Sequence, residues 1–386
     1  MGETKADLSE GLKSFLRPFG GLVRRSESRS AMEHYLAGLL APLPRKTASD
    51  MARALAGTTS QRLQEFLTRT SWDNARMDEL RVGRLHEAGH VAGGALVVGE
   101  VLIPKRGEHS VGVTRLPVGS AARQQHGQLL VTTHYATDTE HWPVAARLYL
   151  PPDWVDDETR RRRALVPEAL AYRTLDGIAL ELIDWRERQG VPVRAVVADA
   201  AHSERTELAA GLRARRLPFV VEMTPEQVRH LRVELPGPSA APRADEPPLL
   251  QRVPRDAWLA VPGRSGGAAR ARRYARARAR WVALGQEEGW LLFERQAQGG
   301  REQSRLFFAG GLDDRPLAEL AWLAEQRTVL PEFTDRAREL GLFDYEGRLW
   351  NGFHRHVSLV LLARCFQLLS GEDAAAGGPC SAGRAG

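Results

Sequence analysis

The sequence is poor in cysteine and lysine and has no long apolar run. Its 386 residues include two cysteines, Cys365 and Cys380. Two distant cysteines argue against a disulfide framework or a cysteine-based zinc site and favour a reducing compartment. No stretch of about 18 apolar residues is present, so no segment is expected to span a membrane. The first residues, MGETKADLSEGLKSF, lack the apolar core of a signal peptide, and we expect a cytoplasmic protein.

Most of the positive charge is carried by arginine. Lys5, Lys13, Lys46 and Lys105 are the lysines among 54 Lys and Arg residues, which face 48 acidic residues and leave a net charge of +6. A basic chain suits a polyanionic partner such as nucleic acid. An arginine- and alanine-rich genome gives the same bias, so charge alone leaves nucleic-acid binding open.

The hydrophobic pattern divides the chain into a helical part and a part with strands. Apolar residues recur three or four apart before residue 92, which predicts a helical N-terminal domain over 1–92 and a candidate DNA-binding unit. From Gly94 onward the pattern is that of strands, with an amphipathic helix at Thr174–Gln189. We expect an α/β core over 93–370 with an insertion at about 225–310, and a disordered tail at 371–386.

One acid stands at the end of a buried strand. The segment Val191–Glu204 reads VPVRAVVADAAHSE, an apolar run that ends at Asp199 and is followed by a polar loop and a helix. Acids at strand ends are frequent metal ligands in α/β enzymes, although Asp199 also suits a helix N-terminal cap. Antiparallel strands, a helix and then a parallel strand with an acid predict an RNase H-like mixed sheet flanked by helices.

Several collinear motifs carry a family resemblance over roughly residues 30–370. They are MEHYLAGLLAPLPRK, LQEFLTRTSWDN, PKRGEHSVGV, THYATDTEHWPVAARLYLPPDW, the Asp199 strand and GLFDYEGRLWNGFHRHVSLVLLA. With these motifs the chain resembles the DDE transposases of bacterial insertion sequences. The resemblance implies an RNase H-like fold, DNA as partner, a possible homodimer, and three acids. Those acids hold two Mg²⁺ or Mn²⁺ ions for attack of water or a DNA 3′-hydroxyl on a phosphodiester.

Two of the three acids implied by the resemblance are altered. The family's pair of aspartates before Thr-Gly is replaced by Gly99 and Glu100, and Glu100 is the expected first ligand beside Asp199. The third acid falls at Leu330, which is followed by a proline. Glu332 is the nearest substitute, but two helical positions rotate it by about 200°. The family's Arg, Glu and Lys on this helix are likewise absent, since Gln326, Leu330 and Ala337 stand there.

Basic residues in two places are candidate DNA contacts. They are Lys105, Arg106 and His109 after the first core strand, and Arg348, His354, Arg355 and His356 around the last helix. Each also suits a solvated or capping role. The segment Arg264–Arg280, with seven arginines and Tyr274, is predicted to be either a basic helix along DNA or a flexible solvated loop.

A competing motif stands just before the first core strand. His86-Glu87-Ala88-Gly89-His90 is a literal HExxH, the helical zinc motif of metalloproteases. The two glycines that follow and the absence of a third ligand at a recognised spacing speak against a protease. The sequence does not settle whether the motif binds zinc.

Three hypotheses follow from the sequence. The first is a transposase that works with an altered acid set of Glu100, Asp199 and Glu332. The second is a non-catalytic descendant that still binds DNA. The third is a repurposed protein that binds or converts a small molecule in the old active-site cleft, which Leu102, Ile103 and Leu330 would make apolar.

Overall fold

The computed structural model describes residues 9–91, 93–118, 123–199, 205–235, 249–261, 272–298 and 301–371. The helices are α1 Glu10–Leu16, α2 Ser26–Leu40, α3 Ala48–Ala54, α4 Ser60–Thr68, α5 Asn74–Glu87, α6 Pro152–Val155, α7 Glu158–Ala164, α8 Leu175–Arg188, α9 Thr206–Ala214, α10 Pro225–Val228, α11 Leu317–Glu325, α12 Val329–Glu339 and α13 Trp350–Ser370. The strands are β1 Ala95–Pro104, β2 Thr114–Val118, β3 Arg123–Ala136, β4 His141–Leu148, β5 Val196–Ala198, β6 Phe219–Met223, β7 Leu231–Glu234, β8 Leu259–Val261, β9 Arg272–Trp281, β10 Glu287–Gln298 and β11 Arg301–Gly310.

The described strands form one mixed sheet in the order β2-β3-β1-β5-β6-β11-β10-β9-β7, with β4 paired to β3 and β8 to β9. Strands β1, β5 and β6 run parallel, whereas β3 lies antiparallel to β1. The parallel crossovers contain α8 and α9, as in other α/β folds. This arrangement of a large mixed sheet flanked by helices confirms the predicted RNase H-like α/β fold.

The two faces of the sheet are covered by different helices. Leu96 and Val98 of β1 belong to a large core that includes apolar residues of α8 and α9, and we call this side the α8 face. Ala95 and Val97 alternate with them and pack in a smaller core with α11 and the start of α12, and we call this side the α11 face. Successive side chains of a strand point to opposite faces, so the pleat decides which neighbours each site residue meets.

The predicted insertion extends the sheet beyond β6. Strand β11 pairs antiparallel with β6, and β10, β9 and β7 follow outward. The basic segment was predicted as a helix or a flexible loop, and both predictions are wrong for residues 272–281, which form β9. Alternating Arg and Ala residues suit a strand that buries Ala275, Ala277 and Ala279 on one face. Residues 262–271 lie outside the described part of the chain, as does nearly all of the predicted tail.

The N-terminal helices share a core with the last helix of the chain. Apolar residues of α1 to α5 and of α13 belong to the same large core as the α8 face of the sheet. The hydrophobic core therefore continues across the domain boundary predicted near residue 92. That boundary stays a prediction. Within the described residues, no helix is long and apolar enough to cross a membrane.

Candidate functional site

The site predicted from the sequence lies where β1 and β5 run side by side. Val98 of β1 and Ala198 of β5 are the last paired residues of these two strands, and Gly99 and Asp199 follow them at the same end. Apolar residues on both strands are fully buried, because a central parallel strand is covered on both faces. The structure thus brings the stretch around Gly99 and Glu100 close to Asp199, as the sequence predicted.

The two family positions that lost an acid contact each other on the α11 face. A Cβ built on Gly99 would lie 2.2 Å from Cδ2 and 2.6 Å from Cδ1 of Leu330. Leu330 is 7% exposed and belongs to the α11-face core, together with Val329. A side chain at position 99 and the present leucine at position 330 therefore cannot share this space.

The surroundings of Gly99 on this face are apolar or neutral. Across the strand pair, the Thr132 hydroxyl donates to the Gly99 carbonyl oxygen at 3.3 Å. His134, two residues further on β3, contacts the Thr132 hydroxyl through Nε2 at 2.9 Å and packs on Phe333 with ring centroids 4.3 Å apart. Burial lowers the pKa of His134 well below its usual range, which keeps the ring neutral.

Glu100 points to the opposite, α8 face. Its carboxylate Oε1 lies 2.9 Å from Nη2 of Arg205, and neither side chain is exposed to solvent. The same guanidinium lies 3.1 Å from Oδ1 of Asp176 and 3.2 Å from Oδ1 of Asp199. Three carboxylates from three elements therefore converge on one buried arginine.

Asp199 is the most accessible member of this cluster. Its side chain is 23% exposed, whereas those of Glu100, Asp176 and Arg205 are 4% exposed or less. Burial raises the pKa of Asp199, and the positive charge of Arg205 offsets part of that rise. The Arg205 Nε also donates to the backbone oxygen of Asp199 at 2.8 Å, which fixes the strand end to the guanidinium.

Glu332, the substitute for the third acid, lies on α12 but pairs elsewhere. One of its carboxylate oxygens lies 3.2 Å from Nε2 of His141, at the start of β4. Pro331 sits within the first turn of α12, where its missing N–H is not needed, so the helix continues through it. The helix thereby buries Leu330 and leaves Glu332 on another face.

The residues present do not fit the two-metal site that the family resemblance implies. Such a site needs several oxygen ligands converging on each ion without a competing cation. Here Glu100 and Asp199 face a guanidinium, and Leu330 and Gly99 offer no ligand. Among the described residues, no group of three or more His, Cys, Asp or Glu side chains is placed to hold a metal ion. We therefore assign no chemical step to a metal in this chain.

The candidate DNA contacts after β1 differ in exposure. Arg106 and His109 are exposed. Lys105 is half-buried and donates from Nζ to the backbone oxygen of Tyr345 at 2.6 Å. Burial lowers the pKa of Lys105 to about 8. Lys105 thus joins the end of β1 to the segment before α13.

The candidate DNA contacts around the last helix are mostly internal. Arg348 is exposed, but His354 contacts the backbone nitrogen of Leu148 at 3.5 Å. Arg355 donates to the carbonyl oxygens of Leu67 and Trp72 at 2.9 and 3.0 Å. His356 is fully buried between α2 and the turn before α13. These bonds hold helices together.

The HExxH motif does not lie on one helical face. Helix α5 ends at Glu87, and Gly89 takes a left-handed conformation with φ of 82° before His90 is reached. His90 instead contacts Glu140 through Nδ1 at 2.8 Å, and Glu87 pairs with Arg84 at 3.0 Å. The zinc-binding geometry of that motif requires both histidines on one turn of a continuous helix, which this segment lacks.

The structure has a wide basic cleft in the N-terminal helices that the sequence analysis did not predict. It has a volume of about 1240 Å³ and lies between the start of α2, the end of α4 and the start of α5. Six arginines line it against three acids, namely Arg24, Arg25, Arg62, Arg69, Arg76 and Arg355 against Glu27, Glu65 and Asp73. Five of these arginines are dispersed among acidic and neutral residues between 24 and 76, and the sixth, Arg355, lies on α13, so no long run of charge marks the cleft. Arg205 and Asp176 were missed for a related reason, since a buried ion pair has no sequence signature of its own.

The fold and the sequence together place the chain in a known family. Residues 15–287 match the DDE superfamily endonucleases, and the chain belongs to that family. The matched region includes Gly99, Glu100, Asp199 and Arg205, and it ends before Leu330.

The chain is also similar to a curated relative. It is the probable transposase for the insertion sequence element IS701 of Microchaete diplosiphon, 26% identical over 180 residues. The match covers 46% of this chain and 44% of the relative, so the chain spans less than half the length of that relative.

Proposed function

We propose that this chain is a non-catalytic, DNA-binding member of the DDE superfamily endonucleases. The observation that carries the loss of catalysis is the contact between Gly99 and Leu330, which fills with apolar atoms the space between two family acid positions. Glu100, the expected first ligand, lies on the opposite face of β1 from Gly99 and Leu330, and it pairs there with Arg205. Asp199 alone remains of the family trio.

The altered acid set of Glu100, Asp199 and Glu332 has little geometric support. Glu332 pairs with His141, whereas Glu100 pairs with Arg205 on the other side of the sheet. Two-metal chemistry needs ligands placed within fractions of an ångström. The small-molecule alternative stays a prediction, because no contact favours a particular ligand.

The DNA-binding half of the proposal is supported by the basic cleft in the N-terminal helices. Arg24 and Arg25 are exposed at its edge, and neither makes a described ion pair. Arg69 and Arg76 form ion pairs through Nη1 with the carboxylates of Glu65 and Glu79, at 2.9 and 2.6 Å, respectively. Arginines on a solvated rim bind phosphate oxygens with little loss of solvation, and each such contact releases counterions.

We expect a double variant, Arg24→Ala with Arg25→Ala, to bind DNA more weakly than the wild type. The fold should survive, because the backbone oxygen of Arg24, and not its side chain, holds Nη1 of Arg29 at 3.0 Å. Loss of two phosphate contacts reduces the slope of log K against log salt by about 2 and weakens binding several-fold near 0.1 M salt. Fluorescence anisotropy with a labelled random-sequence duplex over a salt series measures both quantities.

The matched control removes the same charge elsewhere. Arg188→Ala with Arg229→Ala changes two exposed arginines outside the cleft and should leave affinity close to the wild-type value. Equal weakening in both double variants would show that net charge, and not this cleft, binds DNA. A wild-type chain that fails to bind the duplex at low salt would reject the proposal.

A further inference from the structure

A second basic cleft lies between the turn that follows β1, the strands β2 and β3, and the helices α6 and α7, and we call it the α7 cleft. It has a volume of about 560 Å³. Three arginines and two histidines line it against two acids, namely Arg115, Arg160, Arg163, His109 and His126 against Glu108 and Asp153. None of these residues lines the basic cleft in the N-terminal helices, so the two clefts are separate features of the surface.

Two arginines of the α7 cleft are available to a partner. Arg160 and Arg163 lie three residues apart on α7, so they share one face of the helix. Arg160 pairs with Asp153 at 3.1 Å and lies over the Trp154 ring at 4.0 Å. Arg163 and Arg115 are exposed, and neither forms an ion pair within the described part of the chain. Exposed guanidinium groups bind phosphate oxygens with little loss of solvation.

The elements around the α7 cleft are fixed to one another. The Trp154 indole N–H donates to the Val113 carbonyl oxygen at 2.8 Å, which joins α6 to the turn before β2. Arg115 and His126 are directly opposite each other on β2 and β3, so their side chains lie on the same face of the sheet. The cleft is therefore formed before a partner binds, which lowers the cost of ordering its side chains.

The segment before α13 connects the two clefts. The Val111 backbone N–H donates to the Arg348 carbonyl oxygen at 3.3 Å, and Val113, two residues further on, lines the α7 cleft. Asn351, three residues after Arg348, lines the basic cleft in the N-terminal helices. Three residues span at most about 11 Å, which is the length of about three base pairs of duplex DNA. The side chain of Arg348 is exposed between the two clefts.

We infer that one DNA duplex lies across both clefts, and that Arg115 and Arg163 contact its backbone at one end of this surface while Arg24 and Arg25 contact it at the other. The inference rests on the proposed function and extends it from one cleft to a continuous surface that passes over Arg348. Contacts of guanidinium groups with phosphates position a duplex without selecting a base sequence. We therefore expect the same affinity for duplexes of different sequence.

The test measures binding to a labelled random-sequence duplex of about 24 base pairs by fluorescence anisotropy over a salt series. Arg115→Ala with Arg163→Ala should lower the slope of log K against log salt by about 2 and weaken binding several-fold near 0.1 M salt. Adding Arg24→Ala and Arg25→Ala should lower the slope by about 4 in total, because all four arginines contact the same duplex.

The matched control uses the neighbouring residue on the same helix. Arg162 is exposed but does not line the α7 cleft. Arg162→Ala with Arg188→Ala therefore removes two charges from exposed positions and should leave both slope and affinity close to the wild-type values. Arg115 and Arg163 are exposed as well, so their double variant should keep the wild-type Tm. If it does not, Arg115→Gln with Arg163→Gln takes the place of the alanine pair.

Three results would overturn the inference. An unchanged slope in Arg115→Ala with Arg163→Ala would show that the α7 cleft does not contact DNA. Equal weakening in the control would show that net charge is responsible. Two duplexes bound per chain, in a titration far above the Kd, would show that the clefts are separate sites.

The results also distinguish this inference from the proposed function. Weakening by the Arg24 and Arg25 substitutions alone defeats the inference and leaves the proposed function standing. A wild-type chain that binds no duplex defeats the proposed function and the inference with it.

Discussion

Positions 99 and 330 illustrate how two residue changes become one structural feature. Each replaces an acid that the family resemblance implies, one by a residue without a side chain and the other by an apolar residue. The structure places them in contact, with Leu330 in the space that a Cβ at position 99 would occupy. Restoring either acid alone therefore introduces a clash or leaves a carboxylate against an apolar face.

A double-mutant cycle tests this contact. Gly99→Ala should lower the free energy of unfolding by about 1–3 kcal/mol through overpacking. Leu330→Ala should cost about 2–5 kcal/mol through the cavity it leaves. The loss in free energy of unfolding of the double variant should be smaller than the sum of the two single losses by about 1 kcal/mol or more. The reason is that the new methyl group at position 99 enters the cavity left at position 330. Urea unfolding of the four proteins measures the coupling, and strict additivity would show that the two side chains do not compete for space.

The residue scale also marks the limit of sequence reasoning about the site. Asp199 was identified from the apolar run before it, and the structure places it at the end of β5. The direction of the Glu100 side chain follows from the pleat and the helices on each face, which a single sequence does not reveal. Arg205 is a loop residue by pattern, and two of the three acids that it pairs with, Glu100 and Asp176, are distant from it in sequence.

At the scale of elements, α13 holds the N-terminal helices to the rest of the fold. His356, near its start, contacts the Tyr35 hydroxyl of α2 through Nδ1 at 2.9 Å and the Gly341 carbonyl oxygen through Nε2 at 3.1 Å. The carbonyl can only accept, so Nε2 carries the proton and Tyr35 donates to Nδ1. A neutral ring satisfies both partners.

This histidine should make stability depend on pH. Burial lowers the pKa of His356 to about 4, below the value of about 6.5 in an unfolded chain. The unfolded state therefore binds the extra proton first, and the contribution of a neutral His356 is complete above about pH 6.5 and is lost as the pH falls toward 4. Between pH 7 and pH 5 the loss is about 2 kcal/mol for this residue.

The comparison of variants isolates that contribution. His356→Gln should be less stable than the wild type at pH 7.5 but should lose less stability between pH 7 and pH 5. His109→Gln, at an exposed position, should follow the wild-type curve. Chemical unfolding at a series of pH values gives the free energies, and parallel curves for His356→Gln and the wild type would contradict the assignment.

Secondary structure was the most predictable level of this protein. The strand at GALVVGEVLI, the helix at Thr174–Gln189 and the last helix are confirmed within a few residues of their predicted ends. The prediction for the basic segment was wrong because it was based on arginine content. The alternation of Arg and Ala in this segment has the period of a strand.

At the scale of the whole molecule, the altered family site lies on the sheet, and the basic cleft lies in the N-terminal helices. The sheet retains the family fold but has an occluded face at Gly99, and its opposite face carries a buried Arg205 paired with Glu100. The N-terminal helices, held by α13, present the basic cleft toward solvent. The resemblance predicted the fold of the sheet, but the cleft depends on how arginines of α4, α5, α13 and the segment before α2 come together in three dimensions.

The central claim is that the chain binds DNA and leaves it intact. The most direct measurement incubates the wild type and Asp199→Asn with an end-labelled duplex and a supercoiled plasmid in Mn²⁺, and follows both retardation and strand integrity. We predict equal retardation for the two proteins and no nicks or breaks above a protein-free control. Mn²⁺-dependent cleavage by the wild type that disappears in Asp199→Asn would contradict the account.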